Sequence, residues 1–249
     1  MNSKFVIVGL PGSGKSTVCG YILQNICKGK VAPVSTDKAV LQARQNHDFP
    51  VTKKYIENFE KNYGEKLDLE VFSLENDGAF IKKHGETAFR DFEEAVIIDM
   101  FENNKFKGKY PDLGGAAFMR ENTRRAIKKN KYLSIYLKVS PEVIGDYLYK
   151  DYMESKAAGV VKRGNYTTCA DDAAAEGRDV REALVEFSQK HRKERETIYE
   201  KADIVVYVNK KEEAANVAME IMDAVKKHGE IERRGFYNMS LRKKKQSAK

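Results

Sequence analysis

The stretch 4-KFVIVGLPGSGKST-17 decides how the chain folds. KFVIV is a short apolar run rich in β-branched residues, which predicts a buried strand. Gly9-Leu10-Pro11-Gly12-Ser13-Gly14-Lys15-Ser16 then fits G-x-x-x-x-G-K-[ST], and the residues up to about Cys27 predict a helix. Strand, glycine loop and helix in that order make a cradle for a polyphosphate. Glycines let the backbone curl so that successive N–H groups point inward. The helix adds the positive end of its dipole. Lys15 is expected to reach the β- and γ-phosphates, and the Ser16 hydroxyl to ligate Mg²⁺. Gly9, Gly12, Ser13, Gly14, Lys15, Ser16 and Thr17 are therefore the expected nucleotide-binding residues, with ATP and Mg²⁺ as cofactors. Kinases, ATPases and GTPases share the motif, so it does not choose the reaction.

Working outward, residues 31–36 (VAPVST) predict a second strand ending at Asp37. From 38 to about 107 the pattern is helical and charged. Within it, Phe89, Phe92, Val96 and Met100 fall on one helical stripe. Residues 109–117 (KYPDLGGAA) read as a strand end entering a tight loop, and a helix follows at 118–129. YLSIYLKV at 132–139 predicts a strand. Ser140 and Pro141 then supply the N-cap and first turn of a helix. Residues 155–177 have no clean period and contain three glycines, which reads as a mobile loop with helical pieces. A charged helix at 178–200, a strand at 203–208 and a helix at 211–227 complete the pattern.

Strands alternating with helices predict an α/β fold. The expectation is a three-layer α/β/α domain over 1–228 with a central five-stranded parallel sheet. A helical substrate flap (about 38–107) and a lid (about 155–178) would root on the sheet's carboxyl edge, where ligands bind in open α/β sheets.

Composition narrows the partners. No apolar run is long enough for a membrane span, and the N-terminal apolar stretch lacks a cleavage site, so the cytoplasm is the expected compartment. Cys19, Cys27 and Cys169 have no metal-ligand spacing and read as reduced thiols. Residues 226–249 hold nine Lys or Arg against two Glu, so nearly all of the formal net charge of +8 sits there. The tail from 229 to 249 reads as a solvated end, with weak nucleic-acid contact as the functional alternative.

A GTPase would show N/T-K-x-D for guanine, and the chain has none. A motor-type ATPase would show an apolar run ending in Asp; the nearest approach, 97–99 (IID), lies on a predicted amphipathic helix. What the chain does have is Gly85-Glu86-Thr87-Ala88-Phe89-Arg90-Asp91-Phe92-Glu93. Arg90 and Glu93 are three apart and share a helix face. Glu93 would hold the guanidinium in one pose, and a fixed fork suits a bidentate grip on a carboxylate. A surface ion pair is the plain alternative.

This G-E-x-x-F-R-x-x-E pattern, with the glycine loop upstream and Leu113-Gly114-Gly115 downstream, resembles the shikimate kinases over most of residues 4–225. The resemblance implies ATP-dependent phosphorylation of a small hydroxylated carboxylate. It implies that Asp37 orients the attacking hydroxyl, a helix N-cap being the plain alternative for that residue. It implies that Arg90 and Arg195 grip the acceptor carboxylate, and that Gly114 and Gly115 line the acceptor pocket. Arg178, beside the lid, is the arginine assigned to the phosphates, with Arg181 and Arg163 as competitors. Lys15, Asp37 and Arg90 are the expected catalytic residues.

Four departures from the family stand out. Ser35-Thr36-Asp37 replaces D-x-D, and Asp112 is the residue expected to supply the missing carboxylate for the metal. Gly114-Gly115-Ala116 replaces a triple glycine. Residues 47–77 enlarge the flap, with Tyr55, Phe59 and Tyr63 at helical spacing. The lid is long, and a tail follows 228. Two rival readings remain: a nucleotide or nucleic-acid kinase of the adenylate-kinase type, and a non-catalytic nucleotide-binding protein.

Overall fold

The protein is described by a computed structural model covering residues 4–75, 77–159, 165–209 and 213–229. It forms two compact units, one from residues up to Ile26 together with those from Leu133 onward, the other Cys27–Tyr132.

The first unit begins with strand β1 (Lys4–Val8), buried from Phe5 onward, and helix α1 (Lys15–Tyr21), which continues as a π-helical turn over Ile22–Ile26. Strand β4 (Tyr132–Val139) starts at the unit boundary and leads to helix α7 (Pro141–Ala157). The Ser140 hydroxyl accepts from the Val143 N–H, and Pro141 opens the first turn, as the sequence predicts. Helices α8 (Asn165–Ala175) and α9 (Val180–Tyr199), strand β5 (Ile204–Val208) and helix α10 (214–229) follow. The sheet order is β1-β4-β5, with β4 and β5 parallel.

The loop expected at 155–177 is largely helix. The first turns of α8 reach Tyr166 and Cys169, and its Ala-rich end has high helix propensity. Ala170 and Ala173 are buried in the α8–α9 contact, and Gly177, at φ 68°, stops the helix. Residues 160–164, with Arg163, and the tail from 230 lie outside the described residues.

The second unit contains β2 (Ala32–Ser35), α2 (Thr36–Gln45), α3 (Pro50–Tyr63), α4 (Leu69–Ser73), α5 (Asp77–Glu102), β3 (Lys109–Asp112) and α6 (Glu121–Lys129). Its 47–77 segment is helical as expected. Phe59, Phe72, Phe80 and Phe92 have no exposed surface and form an aromatic core, with Tyr55 stacked on Phe72. Each such ring contributes about 1.5–3 kcal/mol on burial, so this unit has apolar interior of its own despite its polar sequence. Helix α5 bends at Gly85, whose φ of 86° a side chain would resist.

Strands β2 and β3 pair in parallel, Ser35 opposite Asp112. All five strands form where expected, but the ladders join them as three and two, not as one sheet of five. Pro33 and Pro111 account for this locally. Each removes an N–H from a strand of only four residues, and proline is confined to sheet edges. Among the described residues no helix is long and apolar enough to cross a membrane, and Cys19, Cys27 and Cys169 form no disulfide.

Candidate active site

In the first unit, residues 9–14 turn tightly around the Leu10 carbonyl. That oxygen accepts from the Ser13 N–H (3.2 Å) and from Lys15 Nζ (2.9 Å). Gly12 sits at φ 76°, and a Cβ there would lie 2.6 Å from Leu148 Cδ2. Only glycine therefore gives this loop its shape. The Gly12 and Gly14 amides have no partner among the described residues. The Ser13 hydroxyl is buried and also unpartnered. These donors surround a cavity of about 510 Å³ lined by Gly12–Val18 and by Tyr147, Leu148, Asp151, Tyr166, Val208 and Val217. One end offers N–H groups, hydroxyls and an ammonium; the other offers aromatic and aliphatic surface. That donor set fits a nucleoside polyphosphate. Tyr166 donates to Asp151 Oδ2 at 2.6 Å, and burial raises its pKa above the usual phenol range. Neither Tyr147, Asp151 nor Tyr166 was singled out from sequence, because pocket walls contributed by separate helices have no linear motif.

Arg178 is half-exposed and paired with Glu176 Oε2 (3.1 Å) and Glu186 Oε2 (3.7 Å), outside the cavity lining. Arg181 is paired with Asp146 at 2.6 Å. Arg195 is half-buried on α9 beside His191, whose pKa burial and Arg195 together lower.

In the second unit the predicted acceptor residues come together. Ser35 is the N-cap of α2, its hydroxyl accepting from the Lys38 N–H (3.3 Å). Asp37 is therefore not the N-cap; it lies exposed in the first turn of α2. The Gly114 N–H donates to Thr36 Oγ1 (3.0 Å), and the Thr36 hydroxyl donates to the Asp112 carbonyl (3.2 Å). This buried threonine ties the glycine turn to the start of α2. As a result, a Cβ at Gly114 would lie 2.4 Å from Asp37 Oδ1 and 3.3 Å from Glu93 Oε1. Sequence reasoning missed Thr36, although it stands inside the motif already noted.

Arg90 donates through Nη1 to Glu93 Oε2 (2.9 Å) and through Nε and Nη2 to Glu86 Oε1 (3.3 and 3.2 Å). The pose predicted from helical spacing is formed, with Glu86 as an additional partner. Glu93 is buried, and desolvation pushes its carboxyl above the usual range. Arg90 opposes that shift, while the charges of Asp37 and Asp77 reinforce it. The sign for stability follows from the raised pKa. Above it, ionised Glu93 counts against the folded state, and the penalty vanishes as pH falls through it. Glu93→Gln should therefore raise the melting temperature at neutral pH, with a gain that shrinks on acidification. It should also weaken acceptor binding about tenfold by leaving Arg90 one carboxylate short. Melting curves across pH and acceptor KM check both.

Among the described residues no cluster of three His, Cys, Asp or Glu could hold a metal. Ser16, in the first turn of α1, and Asp112, opposite Ser35 in its ladder, lie in different units.

The model of the shikimate kinase family matches residues 75–226, from α5 to the last helix. A shikimate kinase from Paracidovorax citrulli (strain AAC00-1) is 26% identical over 145 residues, which is 58% of this chain and 61% of that protein. The match thus spans about three-fifths of the curated relative. The fold is similar to the shikimate kinase of Bacteroides thetaiotaomicron (TM-score 0.56, 14% identity, covering 90% of this chain and 98% of that one). It is also similar to that of Acinetobacter baumannii, solved in complex with shikimate (TM-score 0.51, 17% identity, 90% and 92% covered). With the family model spanning more than half of its length, the G-E-x-x-F-R-x-x-E helix included, the chain belongs to the shikimate kinase family.

Proposed function

We propose that the chain is an ATP- and Mg²⁺-dependent kinase that phosphorylates a hydroxyl of shikimate or of a similar small hydroxylated carboxylate. The observation that carries this reading is the packing of Gly114 against the Asp37 and Glu93 carboxylates, with Arg90 held by Glu93. A backbone without a side chain, a carboxylate and an oriented guanidinium are the three groups a hydroxy-acid acceptor needs.

When bound, ATP supplies the γ-phosphoryl group and Mg²⁺ spreads its charge. Gly9 to Thr17 form the phosphate-binding stretch. The idle Gly12 and Gly14 amides and the Ser13 hydroxyl hold phosphate oxygens. Lys15 leaves the Leu10 carbonyl to neutralise charge that builds up during transfer. Ser16 is the hydroxyl ligand of Mg²⁺. Asp112 is assigned the role of the carboxylate that Ser35 lacks. Asp37 accepts the hydroxyl proton or holds the hydroxyl in line. Arg90 and Arg195 take the acceptor carboxylate, with Gly114 and Gly115 lining the acceptor pocket. Arg178 would have to release Glu176 and Glu186 before meeting phosphate. The cytoplasm is the compartment that belongs to the same reading.

An ADP-release assay with shikimate, quinate, AMP and CMP as acceptors tests it. Turnover with a hydroxy-acid upholds the proposal. ATP binding with turnover only on nucleotides would transfer the chain to the adenylate-kinase type of reaction.

A further inference from the structure

Arg44 lies on α2 seven residues after Asp37, two turns along the same face. It has no exposed surface. Nη2 donates to Asp77 Oδ1, but the buried Nε and Nη1 have no partner. Its guanidinium lies 5.8 Å from the centre of the Phe89 ring, and that of Arg90 lies 5.1 Å from the same ring. The contrast between the two arginines is chemical. Every nitrogen of Arg90 already donates to Glu86 or Glu93, whereas Arg44 keeps two buried donors without a partner among the described residues. An unmade buried hydrogen bond costs about 1–3 kcal/mol, so a guanidinium in this condition is built for a partner that comes and goes. Burial depresses its pKa despite Asp77, in keeping with an under-compensated cation.

Asp77 is the displaceable member of the pair. Its side chain is 51% exposed, against 0% for Arg44. It stands in the first turn of α5, where the helix dipole supports a carboxylate unaided. It is also close enough to act on Glu93, which binds the pair to the acceptor cluster.

We propose that Arg44 is a further acid-recognising residue of the acceptor site, and that Asp77 is an internal stand-in which the acceptor's carboxylate replaces on binding. The exchange leaves the charge of the cluster unchanged, since one carboxylate leaves for water as another arrives. A carboxylate bound bidentately to Nη2 and to either Nε or Nη1 takes over the bond to Asp77 and satisfies one donor that Asp77 leaves unmade, without requiring Arg90 to abandon either of its own partners. The inference rests on the hydroxy-acid reading above and gives it a residue that the motif does not contain.

The test uses the full chain with Asp77→Asn, Arg44→Lys and Arg44→Met. Probes are shikimate, the carboxamide of shikimate, and citrate as a bare polycarboxylate, titrated calorimetrically in the presence of ADP. Asp77→Asn removes the competitor and should tighten shikimate at least threefold, with the carboxamide unmoved. Arg44→Met should weaken shikimate about tenfold, and Arg44→Lys less. A purely structural ion pair predicts otherwise: lower melting temperatures in all variants with shikimate affinity unchanged, or weaker shikimate binding in Asp77→Asn. Either result overturns the proposal while leaving the kinase reading intact. If the wild type binds ATP but neither binds nor phosphorylates shikimate, the acceptor reading fails instead. The citrate arm then decides for Arg44: tightening by Asp77→Asn that Arg44→Met abolishes upholds the site. No carboxylate binding in any variant overturns it.

Discussion

Lys15→Ala should lower kcat for ADP formation by about 10²–10³-fold, the loss expected when a preorganised charge is removed from a phosphoryl-transfer site. The ammonium donates to the Leu10 carbonyl at 2.9 Å, inside the loop that also positions the Ser13 amide. Its removal takes away the bond to the Leu10 carbonyl and leaves the buried core untouched, so the melting temperature should stay within a few degrees of wild type. Nucleotide affinity should fall less than kcat, because the Gly12 and Gly14 amides and the Ser13 hydroxyl remain. Steady-state kinetics, nucleotide titration and a melting curve on one preparation separate the three effects. An unchanged kcat would remove the phosphate cradle from the mechanism, and with it the whole donor half of the proposal.

Gly114→Ala should lower kcat/KM for the acceptor by about 10²-fold with ATP affinity unchanged. The added methyl would lie 2.4 Å from Asp37 Oδ1, where ordinary carbon–oxygen contact needs about an ångström more. The turn cannot recede freely, because its amide is tied to Thr36 and through it to the Asp112 carbonyl. Asp37 has to move instead, and a displacement of about 1 Å at a reacting group can cost about 10²-fold. Gly115→Ala, at the next position of the same turn, is the comparison. Equal losses in both variants would show that the turn matters only as a turn, and would detach Asp37 from the chemistry.

The donor half of the protein was legible in the sequence because its chemistry is local. Strand, glycine loop, lysine and hydroxyl follow one another without interruption from Lys4 to Thr17, and the strand and the start of the helix form as read. The strands at 132–139 and 204–208 were equally plain from their apolar runs. The G-E-x-x-F-R-x-x-E helix was legible for a related reason: three- and four-residue spacing brings Glu86 and Glu93 to Arg90 within one element. What failed to show was tertiary. Residues 155–177 looked shapeless because their alanines carry no amphipathic period, yet Ala170 and Ala173 find a partner in α9. The prolines at 33 and 111 were visible, but not their effect on how strands join. Arg44 resembled any charged residue on a polar helix until the aromatic core formed around it.

Asp37, Arg44, Asp77, Arg90, Glu93, Asp112 and Gly114 all fall within Cys27–Tyr132, a single uninterrupted run with an aromatic interior of its own. On the proposed reading, acceptor preference, Arg195 apart, is carried by one cassette. A chimera that grafts the equivalent run from another kinase between Ile26 and Leu133 should import that enzyme's choice of substrate and retain this chain's affinity for nucleotide.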